Sequence, residues 1–154
     1  MAPEMIDKAR ENVEKNEESN VEFRFGELEH LPVADESVDV IVSNCVVNLS
    51  PEKRRVFTEA FRVLRPGGRL AISDVVVTAE LPPEVRSDPS AVAACVGGAS
   101  TITTLESILD EVGFENVSID SKAESEAFIR EWDADRALSD YLVSATIEGE
   151  KPGE

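Results

Sequence analysis

Basic residues are scarce: fifteen lysines and arginines stand against thirty-two aspartates and glutamates, a formal net charge of −17. A broad phosphate-binding face is thereby excluded, because a nucleic-acid backbone would be repelled. Charge of this size keeps a chain soluble and its self-repulsion is screened by salt, so it is read as the mark of a halophilic host. The acids are scattered (Glu17-Glu18, Asp35-Glu36, Glu124, Glu126, Asp133, Asp135), as on a solvated surface, and form no catalytic dyad. Cysteine is also rare. Cys45 and Cys95 lie fifty residues apart without CxxC spacing, which excludes a disulfide framework and leaves open two small buried hydrophobes. Long apolar runs are missing; residues 38–42 are far too few to span a bilayer. The opening Met1-Ala2-Pro3-Glu4-Met5 has no basic n-region and no apolar h-region, so the expectation is a soluble, cytoplasmic protein with no membrane partner. His30, the single histidine, sits in a polar loop and reads as surface.

Periodicity supplies the elements. Met5, Ile6, Ala9 and Val13 recur at helical spacing, predicting a helix over 3–16. Residues 21–25 alternate apolar and polar and predict a strand; after a turn-rich stretch, 38–42 predict a buried one. Ser50 as N-cap and Pro51 at the first helical position start a helix with Val56, Ala60, Val63 and Leu64 as its stripe. Arg65-Pro66-Gly67-Gly68 ends that helix, and 69–77 form a strand rich in valine and isoleucine. Short helical candidates fall at 83–87 and 89–95. The Thr103-Thr104-Leu105-Glu106 capping box opens a helix stopped by Gly113. Residues 117–120 predict a strand, 124–132 a helix and 141–148 a final strand packed by Trp132 and Tyr141; 149–154 are expected to be a frayed, flexible tail. The alternation implies an α/β sheet with helices on both faces, whose ligands bind outside the carboxyl ends of strands. That rule points to 26–31, 43–49 and 74–78.

Three motifs occur in order. The first is Gly26-Glu27-Leu28-Glu29-His30-Leu31-Pro32 followed by the strand at Val38. The second is Arg62-Val63-Leu64-Arg65-Pro66-Gly67-Gly68-Arg69-Leu70, and the third the closing Leu142-Val143-Ser144-Ala145-Thr146. Together they resemble class I S-adenosylmethionine-dependent methyltransferases, with a Rossmann-like sheet. Two further stretches, Ser43-Asn44-Cys45-Val46-Val47-Asn48-Leu49-Ser50-Pro51-Glu52-Lys53 and Ala94-Cys95-Val96-Gly97-Gly98-Ala99, resemble arsenite methyltransferases within that superfamily.

The resemblance implies an enzyme, with residues 1–148 a partial methyltransferase domain, S-adenosylmethionine as cofactor, and arsenite or its thiol conjugates as substrate. It makes Cys45 and Cys95 catalytic ligands of arsenic, since trivalent arsenic is soft and selects thiolates. Catalysis is then mostly orientation and water exclusion, with no general base. Glu27 and Leu28 match positions of the adenine loop, and Asn44 and Val47 positions near the cofactor; Val47 reads equally as strand-end packing. Nothing like a GxGxG loop or the acidic residue ending the second strand is present, and a third cysteine of the family is absent. In the family's strand order the strands carrying those features separate the third and fourth. The expectation is therefore that 21–25 pairs directly on 38–42, or that a homodimer covers the exposed sheet edges. Two other readings remain: a small-molecule methyltransferase of the quinone-biosynthesis type, and a non-catalytic remnant that binds arsenic, another soft metal or a second chain.

Overall fold

Two runs rich in β-branched residues pair with each other. β1 (Val38–Asn44) lies parallel to β2 (Leu64–Val77), and the chain between them forms a 3-10 turn (Val47–Leu49) and α2 (Lys53–Val63). The computed structural model describes residues 3–79, 83, 96–122 and 141–153. Ahead of this unit stands α1 (Pro3–Lys15); after it come α3 (Ile102–Val112), β3 (Glu115–Lys122) and β4 (Leu142–Glu150). The sheet order is β1-β2-β4-β3, with β4 antiparallel to both of its neighbours. The expected α/β class is present. Among the described residues no helix is long and apolar enough to cross a membrane.

Side-chain alternation decides which face each strand residue serves. Leu70, Ile72 and Val76 of β2 and Val143, Ala145 and Ile147 of β4 meet Val56, Phe57 and Ala60 of α2 and Leu105 and Leu109 of α3. Thus α2 and α3 share one face of the sheet. Val75 and Val77, on the opposite face, join Val96 and Leu142 in a second apolar cluster, against which Cys45, Ala99 and Tyr141 pack. Tyr141 therefore packs at the start of the last strand, as expected; Trp132, the helix at 124–132 and the helical candidates at 84–87 and 89–95 lie outside the described residues.

The structure corrects several expectations. Residues 21–25 are no strand: among the described residues no ladder reaches them, and β1 pairs with β2 alone. Alternation proposes a strand, but only a neighbouring chain can satisfy its amide and carbonyl groups. Here the Phe23 carbonyl accepts instead from the Arg10 guanidinium at 3.0 Å. Val21, Phe23 and Phe25 are exposed. Nor is β1 buried, because it occupies the edge of the sheet, where Val42 is 79% exposed.

Helix starts shift by two residues. The Ser50 hydroxyl is engaged by the Glu29 carboxylate and the Glu52 N–H, so α2 begins at Lys53, past Pro51. In α3 the cap is Thr101, whose extended backbone lets its hydroxyl accept the Thr104 N–H at 3.2 Å; Thr103 lies inside the first turn. Gly113 ends α3 as expected, its N–H reaching the Leu109 and Asp110 carbonyls. The Pro66-Gly67-Gly68 segment lies within β2, at a register irregularity opposite Val38 and Val40.

Residues 149–151 are not frayed. β4 runs through Glu150, and the buried Lys151 Nζ donates to the Phe61 and Leu64 carbonyls at 3.1 and 2.9 Å while facing Glu36 at 3.2 Å. A cation there satisfies carbonyls at the carboxyl end of α2, where the helix dipole favours positive charge.

Candidate active site

The carboxyl ends of β1 and β2 lie side by side, and the chain leaving β1 turns sharply. Cys45 takes the left-handed φ of +55°, uncommon for a residue with a Cβ, while its N–H donates to the Ser73 carbonyl at 2.9 Å. The turn is fastened from below by Asp74. One carboxylate oxygen of Asp74 accepts the Val47 N–H at 3.2 Å; the other accepts Asn48 Nδ2 and the Val75 N–H, both at 2.8 Å. Asn48 Nδ2 also donates to the Val75 carbonyl at 2.7 Å. Asn48 and Asp74 are each 3% exposed. Burial pushes the Asp74 carboxyl above its ordinary value, opposed by the hydrogen bonds from Val75, Asn48 and Val47 and by the Lys53 charge.

A second loop, residues 96–100, seats directly on this turn. A Cβ on Gly98 would stand 2.0 Å from the Asn48 carbonyl oxygen, so the backbones touch where only glycine fits. The buried Lys53 Nζ donates to the Gly98 carbonyl, and to that of Ser50 at 3.3 Å. Val96 is buried in the apolar cluster against which Cys45 packs. The two cysteine-bearing motifs therefore converge through their described parts; Cys95 itself lies outside the described residues. A cavity of about 650 Å³ opens beside this junction, lined by Leu49, Pro51, Lys53, Gly97, Ser100 and Ile108 among others.

On the α2 side of the sheet, the 27–31 loop roofs another cavity of about 350 Å³. Leu28 and Leu31 meet Ile41, Asn44, Val46 and Val47 there. The loop is held by α2: Arg62 donates to the Leu31 and Val33 carbonyls at 3.1 and 2.9 Å, and the Glu59 carboxylate accepts the Leu31 N–H at 2.9 Å. The Arg62 guanidinium hydrogen-bonded to Glu59 holds that carboxyl below its usual range. Ser43 is on the cavity wall, and its Oγ is buried without a hydrogen-bond partner among the described residues.

Of the residues expected from sequence, Leu28, Asn44 and Val47 line this cavity together. Val47 is buried and packs in the core as well. Glu27 is exposed, bridged across the loop to His30, and does not line the cavity. His30 is exposed, as expected. Ser43, Asn48, Lys53 and Asp74 lie in the segments and motifs picked out from sequence, but none of them was given a role there. A signal for Asp74 was present: a carboxylate inside the run Ile72-Ser73-Asp74-Val75-Val76-Val77 must find donors if that strand is buried.

Residues 1–113 match a family model described as a methyltransferase domain. The chain belongs to that methyltransferase domain family. Its likeness to arsenite methyltransferases, expected from the two cysteine motifs, is borne out. It is 65% identical to an arsenite methyltransferase of Halobacterium salinarum, over 99% of this chain and 39% of that protein. To the arsenite methyltransferase of Homo sapiens it is 44% identical over 62% of this chain and 26% of that protein. The crystal structure of an arsenic (III) S-adenosylmethionine methyltransferase from Chlamydomonas reinhardtii superposes with a TM-score of 0.71 at 30% identity, covering 99% of this chain and 53% of that one. The chain thus spans well under half the length of the curated relatives it matches.

Proposed function

We propose that this chain carries the arsenic-binding face and the adenine side of an S-adenosylmethionine-dependent arsenite methyltransferase, its residues 1–148 forming part of that domain. The observation that carries the reading is the seating of the Gly97-Gly98 loop on the Cys45 turn, which gathers both cysteine motifs at the carboxyl ends of β1 and β2. The likeness to the Halobacterium salinarum enzyme over nearly the whole chain supports it.

The residues present fit the adenine half of the cofactor. The cavity beneath Leu28 and Leu31 offers apolar walls for a flat base, and the unpartnered Ser43 hydroxyl is a buried polar atom that a purine nitrogen satisfies. Leu28, Asn44 and Val47 would line the base, with Glu27 at the exposed end of the loop. When bound, S-adenosylmethionine supplies an electrophilic sulfonium methyl. The chain's part is to hold arsenic through Cys45 and Cys95 as thiolates, leaving the arsenic lone pair unshared, and to keep water from it with Val75, Val77 and Val96. No step on the arsenic side requires a general base. A quinone-type methyltransferase would not require a cysteine held in a left-handed turn.

Calorimetric titration of S-adenosylmethionine into this chain in high salt tests the cofactor half. Micromolar binding, weakened by a bulky replacement at Leu28, is the expected result; no heat at millimolar cofactor overturns it and favours the non-catalytic remnant. The net charge of −17 fits a salt-rich cytoplasm.

Among the described residues only β2 pairs with β1, and Val40 and Val42 are exposed beside its outer edge, which fits a homodimer. Light scattering after size exclusion in high salt is expected to give twice the monomer mass of 16.8 kDa. A monomer at every salt concentration overturns the dimer.

A further inference from the structure

We infer that Asp74 is a positioning residue: with Asn48 it sets the left-handed turn that directs the Cys45 side chain away from the adenine-side cavity and onto the face shared with Val96. The neighbours of Cys45 frame the point. Ile41 and Ser43, four and two residues ahead of it in β1, line the cavity on the α2 side beside Leu70 and Ile72, yet Cys45 packs against the cluster of Val75, Val77, Val96 and Leu142 on the other side. Continued alternation along 41, 43 and 45 would keep Cys45 on the α2 side; the positive φ at Cys45 breaks it. A left-handed conformation at a residue bearing a Cβ persists only where its surroundings over-determine it. Two anchors flank it here. Before the turn, the Cys45 N–H is tied to the Ser73 carbonyl; after it, Val47 and Asn48 are tied to the adjacent Asp74 carboxylate. Ser73 and Asp74 are consecutive in β2, so a single short stretch of that strand clamps both ends of the turn.

The chemistry of the clamp demands a carboxylate. Its two oxygens take three N–H donors, from Val47, Asn48 and Val75. Asn at this position must turn an NH2 group toward at least one of those donors, whichever way the amide is flipped. Asp74→Asn therefore opens the clamp while hardly changing volume. The consequence for arsenic rests on the reading of Cys45 as a ligand; the positioning itself does not.

Thermal unfolding of four variants separates the two. In the Asp74 background Cys45→Gly is expected to melt at or above Cys45→Ala, because glycine accepts a positive φ and alanine resists it. With Asp74→Asn added to each, the turn relaxes and the order inverts, alanine melting higher, a relative shift of about 2–4 °C. A glycine–alanine difference that survives Asp74→Asn unchanged overturns the inference, since a merely structural Asp74 lowers both melting points equally. If Asp74→Asn does not fold, Asn48→Ala, which removes one donor and leaves the carboxylate, carries the same comparison. In parallel, Asp74→Asn in the otherwise native chain is expected to weaken arsenite binding about 10- to 100-fold, as loss of a group supporting a ligand does. An inversion accompanied by arsenite binding that ignores both Cys45 and Asp74 leaves the positioning role standing and sinks the arsenic reading instead.

Discussion

Cys45→Ser is expected to weaken arsenite binding by about 10²–10⁴-fold, because it turns a chelate into a single bond. Two thiolates on one scaffold bind the second time intramolecularly, at the high effective concentration that the fold sets. The structure supports such a scaffold: Cys45 and Val96, the residue next to Cys95, belong to one apolar cluster, and the Lys53–Gly98 hydrogen bond ties the two loops together. Serine conserves the shape and leaves the backbone free to keep its φ of +55°, so a changed turn is not the cause of the loss. What changes is the donor. A hard hydroxyl oxygen does not replace a polarisable thiolate toward a soft centre. Titration followed through the near-ultraviolet absorption of the arsenic–thiolate bond reads the affinity, and the unfolding midpoint of the same variant is expected to move little, since Cys45 is only partly buried. An affinity within threefold of the native chain would mean that arsenic, if bound, is held elsewhere.

Sequence made this site legible where a residue type and a local spacing carry the meaning. The two cysteine motifs mark both sides of the junction, and the rule of carboxyl strand ends marks the segments 26–31, 43–49 and 74–78 that meet there. What stayed hidden depends on partners far along the chain. Asp74 acquires its role from Val47 and Asn48, twenty-seven and twenty-six residues away. Lys151 looked like part of a polar tail because the carbonyls it caps are eighty-seven and ninety residues distant. The same cause explains the strand that did not form. The 21–25 pattern is a sound local one, but a strand is a pairwise object, and among the described residues β1 offers its ladder to β2 alone. Helix starts missed by two residues for a related reason: Ser50 and Thr103 are good caps in isolation, and each was outcompeted, Ser50 by its contact with Glu29 and Thr103 by Thr101.

Gly98→Ala is the substitution expected to do the most damage for its size. One methyl group added there would lie 2.0 Å from the Asn48 carbonyl oxygen, a distance at which something must move. The Asn48 side of the contact resists, because its side chain is tied to Asp74 and Val75 and its backbone lies in the 3-10 turn. The loop must therefore lift. Lifting stretches the Lys53–Gly98 hydrogen bond, and a buried ammonium that loses an acceptor is costly. It also draws Val96 from its cluster. Overpacking of this kind costs about 1–3 kcal/mol, and the loosened ammonium adds to it. At about 2–4 °C per kcal/mol for a chain of this size, the melting point should fall by roughly 4–12 °C. Gly153→Ala is the matched control, since nothing lies within 4 Å of the Cβ it would carry. Arsenite affinity should fall together with stability in Gly98→Ala, because the loop that moves is the one that follows Cys95. If the melting point of Gly98→Ala matches that of Gly153→Ala, the loop does not seat on the Cys45 turn, and the convergence of the two cysteine motifs loses its structural basis.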